Sequence, residues 1–308
     1  MSKPKKNSLA LVFVICLLCV FLCGSALAEE TDNGVGYTET PVYVDGLLSC
    51  RGYMIGDDSY VSLEAACAVL GYDADVNYDK EINKLTVEVA GITIEAGFGD
   101  KYLCANGRYF YLPDGYMEVD GSFIIPTEAL AKIFTLGVSQ DDEQGAINFS
   151  TADEQILQSG DEFYNEDDLY WMSRIITWES GNQPVEGQIG VGNVILNRAG
   201  DPRFGETIKD VIFQPGQFTP ASTGAVYGEP YAISVICAKL AFEGYNTVGD
   251  ALFFQVGRYW GSGMIETTWL GKIGDHNFFM WLLKESEYAK MSWVIPNSFF
   301  SENVWKRF

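Results

Sequence analysis

The stretch TWESGNQPVEGQIGVGNVILNR, residues 177–198, sets an acid inside a hydrophobic pattern, and its reading decides the fold of the second half of the chain. Upstream, Asn165 followed by Asp168 marks a helix start, a capping side chain with an acid in the first turn. The predicted helix continues as LYWMSRIITWE, with Leu169, Met172, Ile175 and Ile176 as its apolar stripe. Glu179 follows Ile176, Ile175 and Met172 at helical spacing on that same face and is therefore aimed at the interior. SGNQP ends the helix, because Gly181 allows a left-handed cap and Pro184 suits the first turn of the next helix. Apolar surroundings and the negative end of the helix dipole both disfavour an ionised Glu179, so its pKa is expected to be raised. A carboxyl that keeps its proton can act as a general acid. The bland alternative is an exposed helix end, or an ion pair with Arg174 or Arg198.

The following helix carries Gly187, Gly190 and Gly192, which predict close approach of another backbone. Its Gln188, Asn193 and Asn197 stand among apolar neighbours, and buried amides need partners that a substrate cleft would supply. Further on come DPRF, VIFQPGQFT, ALFF and IGDHNFF. With Glu179, PVEGQ and VGNVILNR before them, this ordered set resembles the catalytic domain of the spore cortex-lytic, SleB-like cell wall hydrolases. The resemblance implies a lysozyme-like fold, peptidoglycan as substrate and one essential glutamate, carried over onto Glu179. One departure matters. Many relatives have a second acid where this chain has Gln183, which leaves Glu186 as a nearby acid of structural or cleft-lining character.

A paired-carboxylate glycosidase needs two acids across the scissile bond. A lytic transglycosylase manages with one, because the sugar's own 6-hydroxyl replaces water, and this is the preferred expectation for Glu179. The alternatives are a hydrolytic muramidase using Glu179 with Glu186 or Glu229, and a non-catalytic wall-binding or scaffold protein with a degenerate hydrolase domain. Candidate substrate-binding residues are Gln188, Gln217 and Phe218, with Phe253, Phe254 and Trp260 as sugar-stacking platforms or core packing. His276 is a candidate of the same kind or a structural residue. It is the only histidine, which argues against zinc amidases and peptidases, and no metal or other cofactor is expected. Cys237 sits in the apolar run ISVICAKLAF and reads as core, and there is no G-x-S-x-G elbow for a serine hydrolase.

Working outward to the N-terminal half, the chain repeats itself. YMIGDDSYVSLEAACAVLGYDADVNYD from Tyr53 is echoed by YMEVDGSFIIPTEALAKIFTLGVSQDD from Tyr116. Each copy reads as turn, short strand, amphipathic helix and strand, while ITIEAG and YLCANGRYFYL between them read as a strand pair. VYVDG, YVSLEAACAVLG and FIIPTEALAKIF resemble the copper amine oxidase N-terminal-like domain, with Glu64 and Glu128 where a basic residue is usual. That resemblance implies a stalk or adhesion module with a wall or spore-coat partner. Residues 41–150 contain no histidine to bind copper.

The expected organisation is a signal peptide at 1–28, the stalk at 41–150, a linker at 151–164, the hydrolase domain at 165–281 and an extension at 282–308. The signal follows from Lys3, Lys5 and Lys6, the run LALVFVICLLCVFLC and Ala26-Leu27-Ala28. A retained membrane anchor is the competing reading, although the run is short against the roughly 20 residues of a full span. Secretion to the wall or cortex follows, with membrane association only if the signal is uncleaved. A formal charge of -22 excludes a nucleic-acid partner. Cys50, Cys67, Cys104 and Cys237 are too scattered for a disulfide framework and read as core thiols, or at most one bridge in the first domain. The fold class is α+β, a mainly α lysozyme-like domain with a small sheet behind a two-repeat α+β stalk.

Overall fold

The computed structural model describes residues 29–30, 35–141, 145–151, 157–257 and 267–281; the expected signal, Trp260, part of the linker and the extension at 282–308 lie outside the described residues. The chain divides into two units, Met1–Asp73 with Tyr116–Gln155, and Ala74–Gly115 with Ile156–Phe308.

In the first unit the two repeat copies pair with each other. Each hairpin ends in a strand, Asp58–Ser62 or Ser122–Pro126, that leads straight into a short helix, Leu63–Val69 or Thr127–Ile133. The two strands lie side by side and antiparallel, Val61 opposite Ile125. Ser62 caps the first helix by accepting from the Ala65 amide at 3.2 Å, while Pro126 offers the second helix no side-chain cap. The sheet continues through Leu47–Ile55 and Gly36–Val44 to Ala146–Ser150 and Gly137–Asp141, with Ala146–Ser150 running parallel to Gly36–Val44.

After their helices the copies diverge. The second copy returns its hairpin to this sheet. The first sends Ala74–Asp79 and Lys84–Val89 into a five-stranded antiparallel meander of the second unit, with Ile92–Gly97, Tyr102–Ala105 and Arg108–Tyr111. The segment read as a strand pair is thus three strands. Asn106 and Gly107, with φ of 50° and 77°, make the tight turn that folds YLCANGRYFYL into its own hairpin.

The rest of the second unit is mainly helical. The helices Glu166–Ser180 and Val185–Ala199 pack against the apolar helix Ala232–Phe242, and Met172, Ile175, Ile176, Ile189, Leu240 and Cys237 are fully buried between them. Each large aliphatic side chain buried this way contributes about 1.5–3 kcal/mol. Gly190 and Gly192 are needed here, but side chains rather than a backbone fill the space: a Cβ on Gly190 would lie 2.7 Å from Val248 Cγ1, and one on Gly192 3.1 Å from Ala241 Cβ. A small antiparallel sheet closes the unit, with His276–Trp281 between Phe253–Val256 and Thr267–Ile273. This gives the mainly α domain with a small sheet expected from the sequence.

The meander joins the helices through buried polar contacts. Arg108 holds Glu243 with two bonds, Nε at 2.8 Å and Nη2 at 2.6 Å, and the Tyr164 hydroxyl donates to the same carboxylate at 2.7 Å. Burial and the Glu243 charge push the Tyr164 phenol well above its usual pKa. All four cysteines of the described residues are free, so no bridge forms in the first domain, and burial pushes the Cys237 thiol up to about 12. Among the described residues no helix is long and apolar enough to cross a membrane.

Candidate active site

Glu179 occupies the last turn of the helix Glu166–Ser180, whose start is fixed by Asn165 accepting from the Asp168 amide at 3.0 Å. It is half-buried on the side of the fully buried Met172, Ile175 and Ile176. The helix ends differently from expectation. Gly181 is right-handed, φ -61°, because the chain turns at once through the Gln183 amide bonded to the Ser180 carbonyl at 2.8 Å. Glycine is still required there, since a Cβ would come within 2.8 Å of the Tyr231 ring.

Burial raises the Glu179 pKa, and the positive charge of Arg198 partly opposes the rise. No hydrogen bond or ion pair among the described residues engages the carboxylate. Arg174 pairs at 3.6 Å with Glu229 instead, and Arg198 donates from Nε to the Leu252 carbonyl at 2.7 Å. Arg198 is 5% exposed and held among Phe204, Phe218 and Phe253, whose ring centres lie 5.0, 5.3 and 5.3 Å from its guanidinium carbon. Burial pushes its pKa down to about 10.

The other acids near the motif are differently placed. Glu186, in the first turn of the helix Val185–Ala199, accepts from Lys101 Nζ at 2.6 Å and the Tyr111 hydroxyl at 3.0 Å. Burial alone would raise its pKa, but these bonds outweigh burial and hold it low. Glu229 is 91% exposed. Gln183 fastens the turn of the small sheet, its Oε1 accepting from the Asp275 amide at 2.8 Å and its Nε2 lying 3.3 Å from an Asp275 carboxylate oxygen.

The predicted binding residues do not form one group. Gln188 is 2% exposed, with its amide donating to the Gln183 carbonyl at 3.0 Å and accepting from the Ser234 hydroxyl at 2.8 Å, so the structure places it in the packing. Asn193 and Asn197 likewise bond the backbone of residues 245–251 rather than line a cleft. Phe218, Phe254 and His276 share one aromatic cluster, with His276 buried and 5.2 Å from Phe254 between ring centres. Burial lowers the His276 pKa, with the Asp275 charge partly opposing. Phe253 joins the Arg198 surroundings, Gln217 is exposed in the loop before the helix Thr219–Thr223, and Trp260 lies outside the described residues.

Sequence reasoning missed three exposed aromatic residues that pack against the helix Glu166–Ser180 on the face away from Glu179. Trp178, Tyr227 and Tyr231 are 48, 59 and 57% exposed. Their signal was present: Trp178 lies off the apolar stripe, and Gly181 and Gly228 are the glycines against which the Tyr231 and Trp178 rings rest. No group of three or more His, Cys, Asp or Glu side chains among the described residues is arranged to hold a metal ion.

Residues 182–279 match the model of the cell wall hydrolase family and residues 47–149 that of the copper amine oxidase N-terminal domain. The first match begins just past Glu179. A spore cortex-lytic enzyme from Oceanobacillus iheyensis is 33% identical over 116 residues, which cover 37% of this chain and 42% of the relative. One from Bacillus subtilis is 29% identical over 91 residues, 30% of each chain. The chain thus spans less than half the length of the curated relatives it matches. A crystal structure of the catalytic domain of the Bacillus cereus SleB protein is 30% identical, with 38% of this chain and 92% of that one covered and a TM-score of 0.36.

Proposed function

We propose that this chain, whose residues 182–279 belong to the cell wall hydrolase family, is an exported enzyme that cleaves the glycan backbone of peptidoglycan as a lytic transglycosylase. The observation that carries the reading is the isolation of Glu179. It is a half-buried carboxyl with a raised pKa and no bonded partner among the described residues, while Glu186 is engaged by Lys101 and Tyr111 and Glu229 stands in solvent.

Glu179 in its acid form donates its proton to the glycosidic oxygen as the bond from that oxygen to the muramic C1 breaks. The resulting carboxylate takes the proton of the muramic 6-hydroxyl as that oxygen bonds to C1. The products are a 1,6-anhydro-muramic end and a new hydroxyl on the departing sugar, and Glu179 is protonated again. No water is consumed, so no second carboxylate has to activate one. The raised pKa supplies the acid form for the first half, and the Arg198 charge stabilises the carboxylate between the two.

The basic start, apolar run and Ala26-Leu27-Ala28 support export, and the stalk match supports a holding role at the wall or cortex. Mass spectrometry of purified glycan strands incubated with the protein and with Glu179→Gln tests the reading. Anhydro-muramic ends that vanish in the variant are the expected result. Reducing ends replace it with a muramidase, and no product from wall or cortex strands replaces it with a binding protein.

A further inference from the structure

We propose that Arg198 is the positioning residue that carries Glu179 from acid to base, its unpartnered Nη1 receiving the carboxylate that proton transfer creates. The inference rests on the reading of Glu179 as the cleaving acid and names the group that prepares it for the second half of the reaction.

Arg198 stands in the last turn of the helix Val185–Ala199 and is 5% exposed. A charged side chain at that depth is normally bonded through its donors. Here Nε donates to the Leu252 carbonyl at 2.7 Å, while Nη1 is buried with no hydrogen-bond partner among the described residues. The guanidinium is also fixed in place. Phe204, Phe218 and Phe253 surround it with ring centres at 5.0, 5.3 and 5.3 Å, and their faces attract the cation without offering it a carboxylate or carbonyl. The result is an anchored positive charge with one N–H group in reserve.

Glu179 is the complementary half. Among the described residues Arg198 is the one charge that acts on Glu179, as Glu179 is on Arg198. The helices that bear them meet at Gly192, where a Cβ would lie 3.3 Å from Ile176 Cδ1. Charged groups on the neighbouring elements have other engagements. Arg174 pairs with Glu229, Asp201 with Arg203 and Glu243 with Arg108, and Asp210 accepts from the Thr207 hydroxyl. Lys239 donates to the Gly107 carbonyl, Lys209 lies over the Trp171 ring, and the charge acting on His276 is that of Asp275.

The proton balance makes the pairing transient. While Glu179 holds its proton it is neutral and attracts the guanidinium weakly. When the proton passes to the glycosidic oxygen, the carboxylate left behind carries its charge in a half-buried site, where attraction to a cation is stronger than in water. Nη1 then gains an acceptor, the carboxylate is held ready for the 6-hydroxyl, and the bond is released when that hydroxyl returns the proton. Arg198 exchanges no proton itself, since a pKa of about 10 keeps it charged at neutral pH and below. A donor fixed before the charge develops needs no reorganisation when it appears.

The test uses the full chain with isotope-labelled guanidinium nitrogens, the Arg198 signals being assigned by their loss in Arg198→Lys. Raising pH through the Glu179 titration should shift the Nη signals and slow exchange of their protons, and Glu179→Gln should abolish both changes. In turnover of peptide-free glycan strands, Arg198→Met should lower kcat roughly a hundredfold, the loss typical of removing a donor to developing negative charge. It should also move the alkaline limb of kcat/KM to higher pH, because the charge that opposes the rise at Glu179 is gone. Arg198→Lys keeps that charge without the planar fork, so it should return the limb toward its original pH and recover part of the rate. An arginine that only holds the fold would lower the melting temperature and leave the limb in place, which overturns the proposal. An Nη signal that ignores the Glu179 titration overturns it too, and Glu179→Gln still reports on cleavage by itself. If Arg198→Met does not fold, the Nη response and Arg198→Lys decide. Product release that survives in Glu179→Gln overturns the cleaving acid and, with it, the role of Arg198.

Discussion

Glu179 and Glu186 stand on opposite sides of one short turn, and the fold treats them in opposite ways. Glu179 closes a helix, at the negative end of its dipole, with buried apolar neighbours and no bonded partner among the described residues. Glu186 opens the next helix, where the dipole favours a carboxylate, and two donors from the meander converge on it. Burial wins at Glu179 and raises its pKa; bonding wins at Glu186 and lowers it. A carboxyl inside a recognisable motif is therefore not equivalent to a reactive one. Its place on the helix and its partners decide which it is.

The strongest test of that contrast is rate. Glu179→Gln should lower release of glycan fragments at least about a hundredfold, the low end of what a positioned general acid contributes. Its melting temperature should not fall, because no bond to a described residue is lost and a neutral amide avoids the burial of a charge. Glu186→Gln should do the reverse, keeping product release while costing roughly 1 kcal/mol in denaturant unfolding, as a partly exposed ion pair with one further bond would. If Glu186→Gln silences the enzyme, the two residues act together and the single-acid mechanism fails.

Glu243 carries the bonded side of the contrast to full burial. Its side chain is 1% exposed and meets Arg108 and Tyr164, so Glu243→Gln leaves an arginine uncompensated in the interior. Breaking such a pair costs about 3–5 kcal/mol, and the meander should lose hydrogen-exchange protection with it. A loss below about 1 kcal/mol, the level of an exposed pair, would remove this contact from the forces that hold the meander.

The acidity of the medium separates the same two glutamates by sign. Glu179 has its folded pKa raised above 4.5, so its contribution to stability is complete below 4.5 and is lost as pH rises through the folded value. Glu186 has its folded pKa lowered below 4.5, so its contribution is present above 4.5 and is lost as pH falls through the folded value. Glu179→Gln should flatten the decline on the alkaline side of 4.5 and Glu186→Gln the decline on the acidic side, both read from unfolding free energy across pH. Activity should fall as pH rises through the Glu179 value, since the reaction begins with the acid form.

How much of this was legible in the sequence follows from the range of the forces involved. The position of Glu179 was readable because Met172, Ile175 and Ile176 share its helix and periodicity is local. The repeat itself was readable as architecture, though neither the pairing of its two copies nor the departure of the first copy's hairpin into the meander was. Gln188 was misplaced because its partner, Ser234, lies on another helix, and nothing local distinguishes a buried amide satisfied by the fold from one awaiting a sugar. The same applies to Lys101, which meets Glu186 from the bend before the distant strand Tyr102–Ala105, and to the aromatic rings around Arg198. Trp178 was overlooked because helix patterns direct attention to buried faces, not to the side chains the pattern leaves outside.

Gln183 gives the smallest effect and the sharpest version of the comparison, because it lies between the two glutamates. Its amide is neutral and bonds Asp275 from both sides, Oε1 to the amide and Nε2 toward the carboxylate. Gln183→Glu would keep the first bond and turn the second into a meeting of two carboxylates, a cost of about 1 kcal/mol at a site open to solvent on the Asp275 side. Adding Asp275→Asn should restore that stability, because its side-chain amide can donate to the new carboxylate. The product spectrum then asks what Gln183 withholds. Reducing ends should stay absent from Gln183→Glu with Asp275→Asn if the fold holds position 183 to the sheet turn. Their appearance would mean that position 183 reaches the reacting sugar, and that this chain differs from a hydrolase by one side chain.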